Sequence, residues 1–266
     1  MDVEAPVLGP ELVAAALAGC EVHEFLGVGR FGETYRVVRG GDELALKVCH
    51  FVPRMPQSLW ERELTALQRV DHPNIMRLYR AGHLELAGRT CPYMECEYIP
   101  GGDLGQRIAT GALPRSREEL RALLVGLLWG VKELHDLGVL HRDVRPPNVV
   151  PRGGDWGRPV LLDFGVAQTM YISPAQQRLS LASRRQDLRD VAALIYEVGT
   201  GIPALPPDRR PGGDRWQDRL RRRVPRDPRH CSELFDDDVA LLVHRLLAGK
   251  ERRLGADEAL RRLGVD

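Results

Sequence analysis

His141-Arg142-Asp143-Val144-Arg145-Pro146-Pro147-Asn148, followed downstream by Leu162-Asp163-Phe164-Gly165, decides the reading of this chain. The first stretch offers Asp143 as a carboxylate base, Arg145 as a cation for a charged transferring group, and Asn148 as a neutral oxygen ligand. Asp163, at the end of a strand-like apolar run, offers a second oxygen of the kind magnesium accepts. An Asp and an Asn five positions apart on one loop, with a second Asp downstream, can serve one metal–phosphate centre. Asp-Phe-Gly alone arises often by chance. Two motifs in this order and spacing, with a third upstream, do not.

The upstream motif is Gly27-Val28-Gly29-Arg30-Phe31-Gly32-Glu33-Thr34-Tyr35. On its own a G-x-G-x-x-G pattern fits any glycine-rich turn or a dinucleotide fingerprint. A dinucleotide fold would open a helix at once and place an acidic residue about 20 positions on. Here Thr34-Tyr35-Arg36-Val37-Val38 is β-rich, turns at Gly40-Gly41-Asp42 and returns through Glu43-Leu44-Ala45-Leu46-Lys47-Val48. The pattern is a hairpin. Glycines within a hairpin make a lid whose backbone amides approach phosphates with no Cβ in the way.

Lys47 stands out by composition. Of 38 basic residues only Lys47, Lys132 and Lys250 are lysine. A lysine retained in so arginine-rich a chain points to a site that needs a compact ammonium on a thin stem rather than a planar fork. Its expected partner is Glu63 in Trp60-Glu61-Arg62-Glu63-Leu64-Thr65-Ala66-Leu67; Glu61 competes, but Glu63 lies one helical turn before Leu67.

The composition agrees with a sizeable enzyme-like domain. A chain of 266 residues can bury a substantial core and divide into two lobes. A net charge of +1 argues against bulk attachment to nucleic acid or an anionic membrane. Five dispersed cysteines, with no C-x-x-C pair, fit a reducing compartment. The apolar run from Leu120 to Val131 is interrupted by Arg121 and glycines, and is short of the ~20 residues a membrane helix needs. With no signal peptide or repeat apparent, the expectation is a cytosolic, cytoplasmic domain. A short helix over Glu11 to Ala18 precedes strands from about 21 to 50, a helix from about 57 to 70 and strands from 76 to 98. Pro100-Gly101-Gly102 breaks the chain. Ser116-Arg117-Glu118-Glu119 is a capping box opening a helix to Leu137. Further helices are expected over Asp187 to Val198 and about Asp236 to Leu247.

From about residue 21 to 260 the chain resembles the bacterial protein kinases of the eukaryotic Ser/Thr type. The resemblance implies an α+β, bilobal fold: a prefix over 1–20, a small β-rich lobe with one main helix over 21–98, and a larger, mostly helical lobe over 99–266. It implies ATP and magnesium, protein substrates, and room for a separate regulatory partner, with no nucleic acid or membrane partner. Asp143 would take the hydroxyl proton, Arg145 would sit near the γ-phosphate, and Asn148 and Asp163 would hold magnesium. Lys47, steered by Glu63, would grip the α- and β-phosphates beneath the Gly27–Gly32 turn. Adenine would lie between Leu26, Thr34 and Ala45 on one side and Val150 on the other, with hydrogen bonds to the backbone of Glu97 and Ile99. Val28, Gly29, Arg30 and Phe31 would complete the lid, Cys96 would gate the pocket, and Asp103 would reach the ribose. His141 would pack with Phe164 rather than act as a base, and Asp187 would pin the backbone of the catalytic loop.

Three departures from the family pattern matter. Arg145 stands where the family has Lys. Ala175, in Ser173-Pro174-Ala175-Gln176, stands where the family has Glu, which leaves its usual partner, matched by Arg253, to be served otherwise. Only Val166 to Ile172 separate Gly165 from Ser173, a span of about 25 Å at most. The long phosphorylatable loop is missing, so Arg142 has no obvious phosphoresidue and switching by activation-loop phosphorylation is not expected. Thr169 reads as the family's substrate-shelf threonine and favours Ser/Thr acceptors. The Arg215 to His230 run reads as a solvated face, with docking of acidic partners as the alternative. A nucleotide-binding scaffold and a small-molecule kinase remain as other readings.

Overall fold

The computed structural model describes residues 8–29, 32–49, 57–164, 167–169, 174–204, 225–249 and 254–265. The chain forms two compact units, one made of Met1–Asp71 and Met76–Tyr98, the other of His72–Ile75 and Ile99–Asp266.

The first unit is built on a five-stranded antiparallel sheet of β1 (Glu21–Gly29), β2 (Gly32–Arg39), β3 (Asp42–Cys49), β4 (Leu78–Leu86) and β5 (Arg89–Glu97), in the order β1-β2-β3-β5-β4. Side-chain alternation gives the sheet two different faces. One face carries Tyr35, Val37, Leu44, Leu46, Val48, Leu84, Leu86 and Cys91, and is buried under α1 (Pro10–Ala16) through Val13 and Leu17. The other presents Ala45 and Lys47 from β3, opposite Cys96 and Met94 of β5. Residues 8–20 are therefore not a separate prefix. They supply part of this unit's core. The short apolar period of α1 buries only Val13 and Leu17, and it needs an apolar sheet face to lie on. Helix α2 (Gln57–Leu67) buries Trp60, Glu63, Ala66 and Leu67.

His72-Pro73-Asn74-Ile75 departs from the sequence boundary, since it packs with the second unit. Asn74 is buried, donates from Nδ2 to the Pro159 carbonyl (2.8 Å) and accepts at its own carbonyl from Leu161 N (2.9 Å). Ile75 forms a parallel bridge to Leu161.

The second unit is mostly helical. Helix α3 (Leu104–Thr110) precedes α4 (Arg117–Asp136), whose N-cap Ser116 accepts from Glu119 N, as a capping box requires. Leu120, Leu123, Leu124, Leu127, Leu128, Val131 and Leu134 form the buried stripe of α4 at helical spacing. Two short pairings follow: β6 (Val139–Leu140) with β9 (Gln168–Thr169), and β7 (Val149–Pro151) with β8 (Pro159–Leu161). Helix α5 (Pro174–Thr200) starts thirteen residues before the expected Asp187. Pro174 fits a first helical turn, and neither Gly nor Pro occurs from Ala175 to Val198, so nothing stops the helix earlier. Helix α6 (Asp237–Leu247) is capped by Asp236, and α7 (Ala256–Arg262) closes the unit. Among the described residues no helix is long and apolar enough to cross a membrane.

One buried group is poorly served. Asp190 on α5 is fully buried, takes one hydrogen bond from Gln186 Nε2 (2.7 Å) and, among the described residues, leaves Oδ2 without a partner. Burial, then the nearby Asp187 carboxylate, push its pKa well above the usual value. A carboxyl whose folded pKa exceeds its unfolded one binds protons more readily in the folded state, so stability falls as pH rises above about 4. Asp190→Asn is therefore expected to stabilise the protein at pH 7 by roughly 1–3 kcal/mol. Near pH 3, where both states are neutral, the difference should vanish. Paired thermal melts at the two pH values check this; equal gains at both would rule out the ionisation argument.

Candidate active site

The ligand-facing chemistry of the first unit begins at the Gly27–Gly32 turn. Gly27 has φ 154°, a backbone region that favours glycine. A Cβ on Gly32 would lie 2.2 Å from the Val48 carbonyl oxygen, so any side chain there would drive β2 away from β3. Leu26 occupies an irregularity in the β1–β2 register between Phe25 and Gly27, a device that re-aims a side chain. Thr34 pairs with Lys47, and Ala45 with Cys96, so the four side chains share one face. Val28 and Gly29 lie at the end of β1; Arg30 and Phe31 lie outside the described residues.

Lys47 Nζ lies 2.7 Å from Glu63 Oε1, the two side chains being 15% and 2% exposed. Glu61, its competitor in the sequence, is exposed. Cys96 is buried, and desolvation raises its thiol to about 12, so it behaves as a small apolar side chain. The Glu97 N–H already donates to the Arg77 carbonyl (2.9 Å), which narrows what Glu97 can offer a ligand to its own carbonyl oxygen.

In the second unit, the loop from His141 to Asn148 is held from three directions. From beneath, the fully buried Asp187 accepts the backbone N–H groups of His141 (3.1 Å) and Arg142 (2.8 Å) and lies 2.8 Å from His135 Nε2. From within, Asn148 Nδ2 donates to both the carbonyl and Oδ2 of Asp143, each at 2.9 Å. From the side, Leu162 N donates to the Asn148 carbonyl (2.8 Å), which puts Asp163 one residue from a direct tie to Asn148. Arg142 (φ 68°) and Asp163 (φ 57°) both adopt left-handed backbone. Such conformations cost of order 1–3 kcal/mol and persist only where the surroundings hold them.

His141 is a structural latch. Its ring is buried 4.8 Å from the Phe164 ring, and burial depresses its pKa. The neutral ring explains both of its contacts. Nε2–H donates to the Leu162 carbonyl (3.0 Å) while Nδ1 accepts from Asp143 N (3.3 Å). A doubly protonated ring could not make the second.

Asp143 Oδ2 accepts from Arg145 Nε (3.0 Å) as well as from Asn148, so the carboxylate is oriented by two donors on one oxygen. Val150 is buried in β7 and Ile99 is also buried. Asp103 does something the sequence did not suggest: its Oδ1 accepts from Gln106 N and caps α3 (2.9 Å). A second revision concerns Thr169. Its backbone pairs with Val139 in the β6–β9 strand pair, because Val139–Leu140 offers a partner strand directly after Asp163-Phe164. A residue in that strand is not a shelf ahead of α5, so the argument from Thr169 to the acceptor type falls. Gly165, Val166, 170–173, the 205–224 part of the Arg-rich run, and Arg253 lie outside the described residues; of Ala175 only the helical backbone is described.

The profile of the protein kinase domain family matches residues 20–184. The chain belongs to that family. This kinase domain is 30% identical over 270 residues to the DNA damage-responsive serine/threonine-protein kinase RqkA of Deinococcus radiodurans, an overlap covering 91% of this chain and 38% of that protein. It is 28% identical to the putative CBL-interacting protein kinase 13 of Oryza sativa subsp. japonica, over 90% of this chain and 48% of the relative. With the serine/threonine-protein kinase PknB of Mycobacterium leprae it shares 25% identity, over 84% of this chain and 39% of the relative. The kinase domain thus spans less than half the length of each of these relatives.

Proposed function

We propose that this kinase domain transfers the γ-phosphoryl group of ATP to serine and threonine hydroxyls of protein substrates, with magnesium as the metal. The observation that carries the reading is the Asp143 carboxylate, fixed through Oδ2 by Arg145 and Asn148 on a loop anchored by Asp187. With Oδ2 engaged, Oδ1 is the oxygen assigned to the substrate hydroxyl proton, and two donors on the other oxygen keep it aimed. Acceptor class rests on the relatives, whose names are those of serine/threonine kinases.

The donor set fits magnesium. Asn148 has its amide nitrogen committed to Asp143, so what it offers a metal is Oδ1, and Asp163 adds a carboxylate. One carboxylate and one neutral oxygen, completed by waters and phosphate oxygens, is the sparse protein contribution magnesium usually receives. Bound between Asn148 and Asp163, magnesium would supply positive charge to offset that of the phosphate oxygens. Lys47, held by Glu63, is assigned to the α- and β-phosphates, and the amides of the glycine-rich turn to their oxygens. Leu26, Thr34, Ala45 and Val150 are assigned to adenine, the backbone of Glu97 and Ile99 to its polar edge, and Asp103 to the ribose through the oxygen left over from capping.

Arg145 keeps a cation beside the base, 49% exposed. Arg145→Lys is expected to hold kcat within about threefold, because the charge is preserved, whereas Arg145→Ala should lower it by about 10–10²-fold with KM for ATP little changed. Steady-state kinetics on the two variants decides. A loss as large in Lys as in Ala would mean that the fork geometry, not the charge, is what matters.

A nucleotide-binding scaffold is disfavoured by the retention of Lys47, Glu63, Asp143, Asn148 and Asp163 together. The proposal is tested by incubating the chain with radiolabelled ATP, magnesium and a generic basic protein, then identifying the labelled amino acid. Label on serine or threonine is expected. Label only on tyrosine, or turnover driven only by a small metabolite, would overturn it.

A further inference from the structure

We propose that the N-terminal segment from Leu8 to Ala18 is a positioning strap for the glycine-rich turn, and that it acts through Glu33. The inference rests on the kinase reading, because it assigns a part in ATP binding to residues that the phosphoryl-transfer chemistry does not use.

The strap is clamped to both ends of one strand. At its start, the Leu8 N–H is shared between the two carboxylate oxygens of Glu33, at 3.3 Å each. At its end, the Ala18 carbonyl accepts from Arg39 Nη1 (3.1 Å). Glu33 follows Gly32, the last glycine of the turn, and Arg39 is the last residue of β2. Arg39 is in turn fixed by a 2.7 Å ion pair to the buried Glu95 of β5. Between the clamps, Val13 and Leu17 are buried against Tyr35, Val37 and Leu46. The whole length of β2 is thus braced on the face opposite Lys47.

Glu33 is the informative residue. It is fully buried, and the Tyr35 hydroxyl donates to the same carboxylate that holds Leu8. A buried carboxylate at the root of the turn is costly unless several donors hold it, so its presence ties strap and turn together. Strand alternation directs it away from the Thr34–Lys47 face, which excludes it from touching phosphate. The junction it controls has no slack, since Gly32 sits against the Val48 carbonyl with no room for a Cβ. Releasing the strap frees the Glu33 side of that junction and makes ATP order the turn on binding. The cost appears as weaker nucleotide affinity rather than slower chemistry.

The test is calorimetric titration of ATP with magnesium into the full chain, alongside steady-state kinetics. Val13→Asp, which lifts α1 off the sheet, and Glu33→Ala should each weaken ATP binding by about five- to tenfold, with kcat at saturating ATP within about twofold. Their combination should be no worse than either alone, because both cut one link. Glu33→Gln, which keeps an acceptor for the Leu8 N–H, should stay within about twofold of wild type. Leu12→Ala, on the exposed side of α1, is the control and should change nothing. Unchanged ATP affinity in folded Val13→Asp and Glu33→Ala overturns the strap, as do effects that multiply in the double variant. Should Val13→Asp fail to fold, the Ala and Gln variants at Glu33 decide alone: equal affinities overturn the strap. A wild-type chain that binds no ATP overturns the kinase reading and the strap with it.

Discussion

Replacing Asp143 by Ala is expected to lower kcat by about 10²–10⁴-fold while ATP affinity stays within about threefold. A positioned base typically contributes that much, equivalent to roughly 3–5 kcal/mol of barrier. The loop should survive the change. Asn148 keeps its hydrogen bond to the Asp143 carbonyl, and the two Asp187 anchors are untouched. Arg145 loses an acceptor but is half exposed and can turn to water. Asp143→Asn separates charge from volume. It preserves volume but removes the charge, and it must present an amide nitrogen or a single oxygen to two donors that now share Oδ2. Asn should therefore be about as inactive as Ala. Retention of more than about a tenth of wild-type kcat in Asn would show that orientation by Asp143, rather than proton acceptance, limits the reaction. Rapid-mix transfer to a protein acceptor, with ATP binding measured separately, checks both variants.

The second large effect belongs to a residue that touches no substrate. Asp187→Ala is expected to cost about 3–5 kcal/mol of stability and, in the protein that remains folded, about 10²-fold in kcat. Asp187 is fully buried and serves the amides of His141 and Arg142 together with His135 Nε2. Without it, two backbone N–H groups and an imidazole are orphaned, each at a desolvation cost of about 1–3 kcal/mol where it cannot find water. Arg142 is the sensitive point, because its left-handed backbone relaxes once the anchor is gone and Asp143 moves with it. A loss of this size should lower the melting temperature by about 10 °C. Hydrogen exchange should show the amides of His141 and Arg142 losing protection before those of α4. Wild-type protection at both amides in the variant would contradict the anchoring role.

Much of the fold was legible in the sequence because its motifs are local and chemically demanding. The hairpin reading of Thr34 to Val48, the capping box at Ser116 and the stripe along α4 each follow from residues a few positions apart. The Lys47–Glu63 pair was legible through the helical interval from Glu63 to Leu67, with the exposed Glu61 as the alternative left aside. What escaped depends on distant partners. Nothing near Val13 and Leu17 announces the sheet face they cover, and Glu33 reads as an ordinary polar residue until Leu8 is found beside it. The transfer of Asn74 to the second unit depends on Pro159 and Leu161, some 85 residues on. Thr169 was misread, and the capping role of Asp103 missed, for a different reason. Their types suit two roles each, cap or ligand, strand or shelf, and only the backbone around them decides.

A domain with a short segment after Gly165 and Arg in place of the family's Lys at 145 is expected still to transfer phosphate to protein. The most direct test is a single-turnover experiment with radiolabelled ATP, magnesium and a protein acceptor, run on wild type and Asp143→Ala at ATP concentrations that saturate both. Label on serine or threonine is expected in wild type, with at least a hundredfold slower appearance in the variant. Equal rates in the two proteins, or saturating ATP with no label transferred by either, would contradict it.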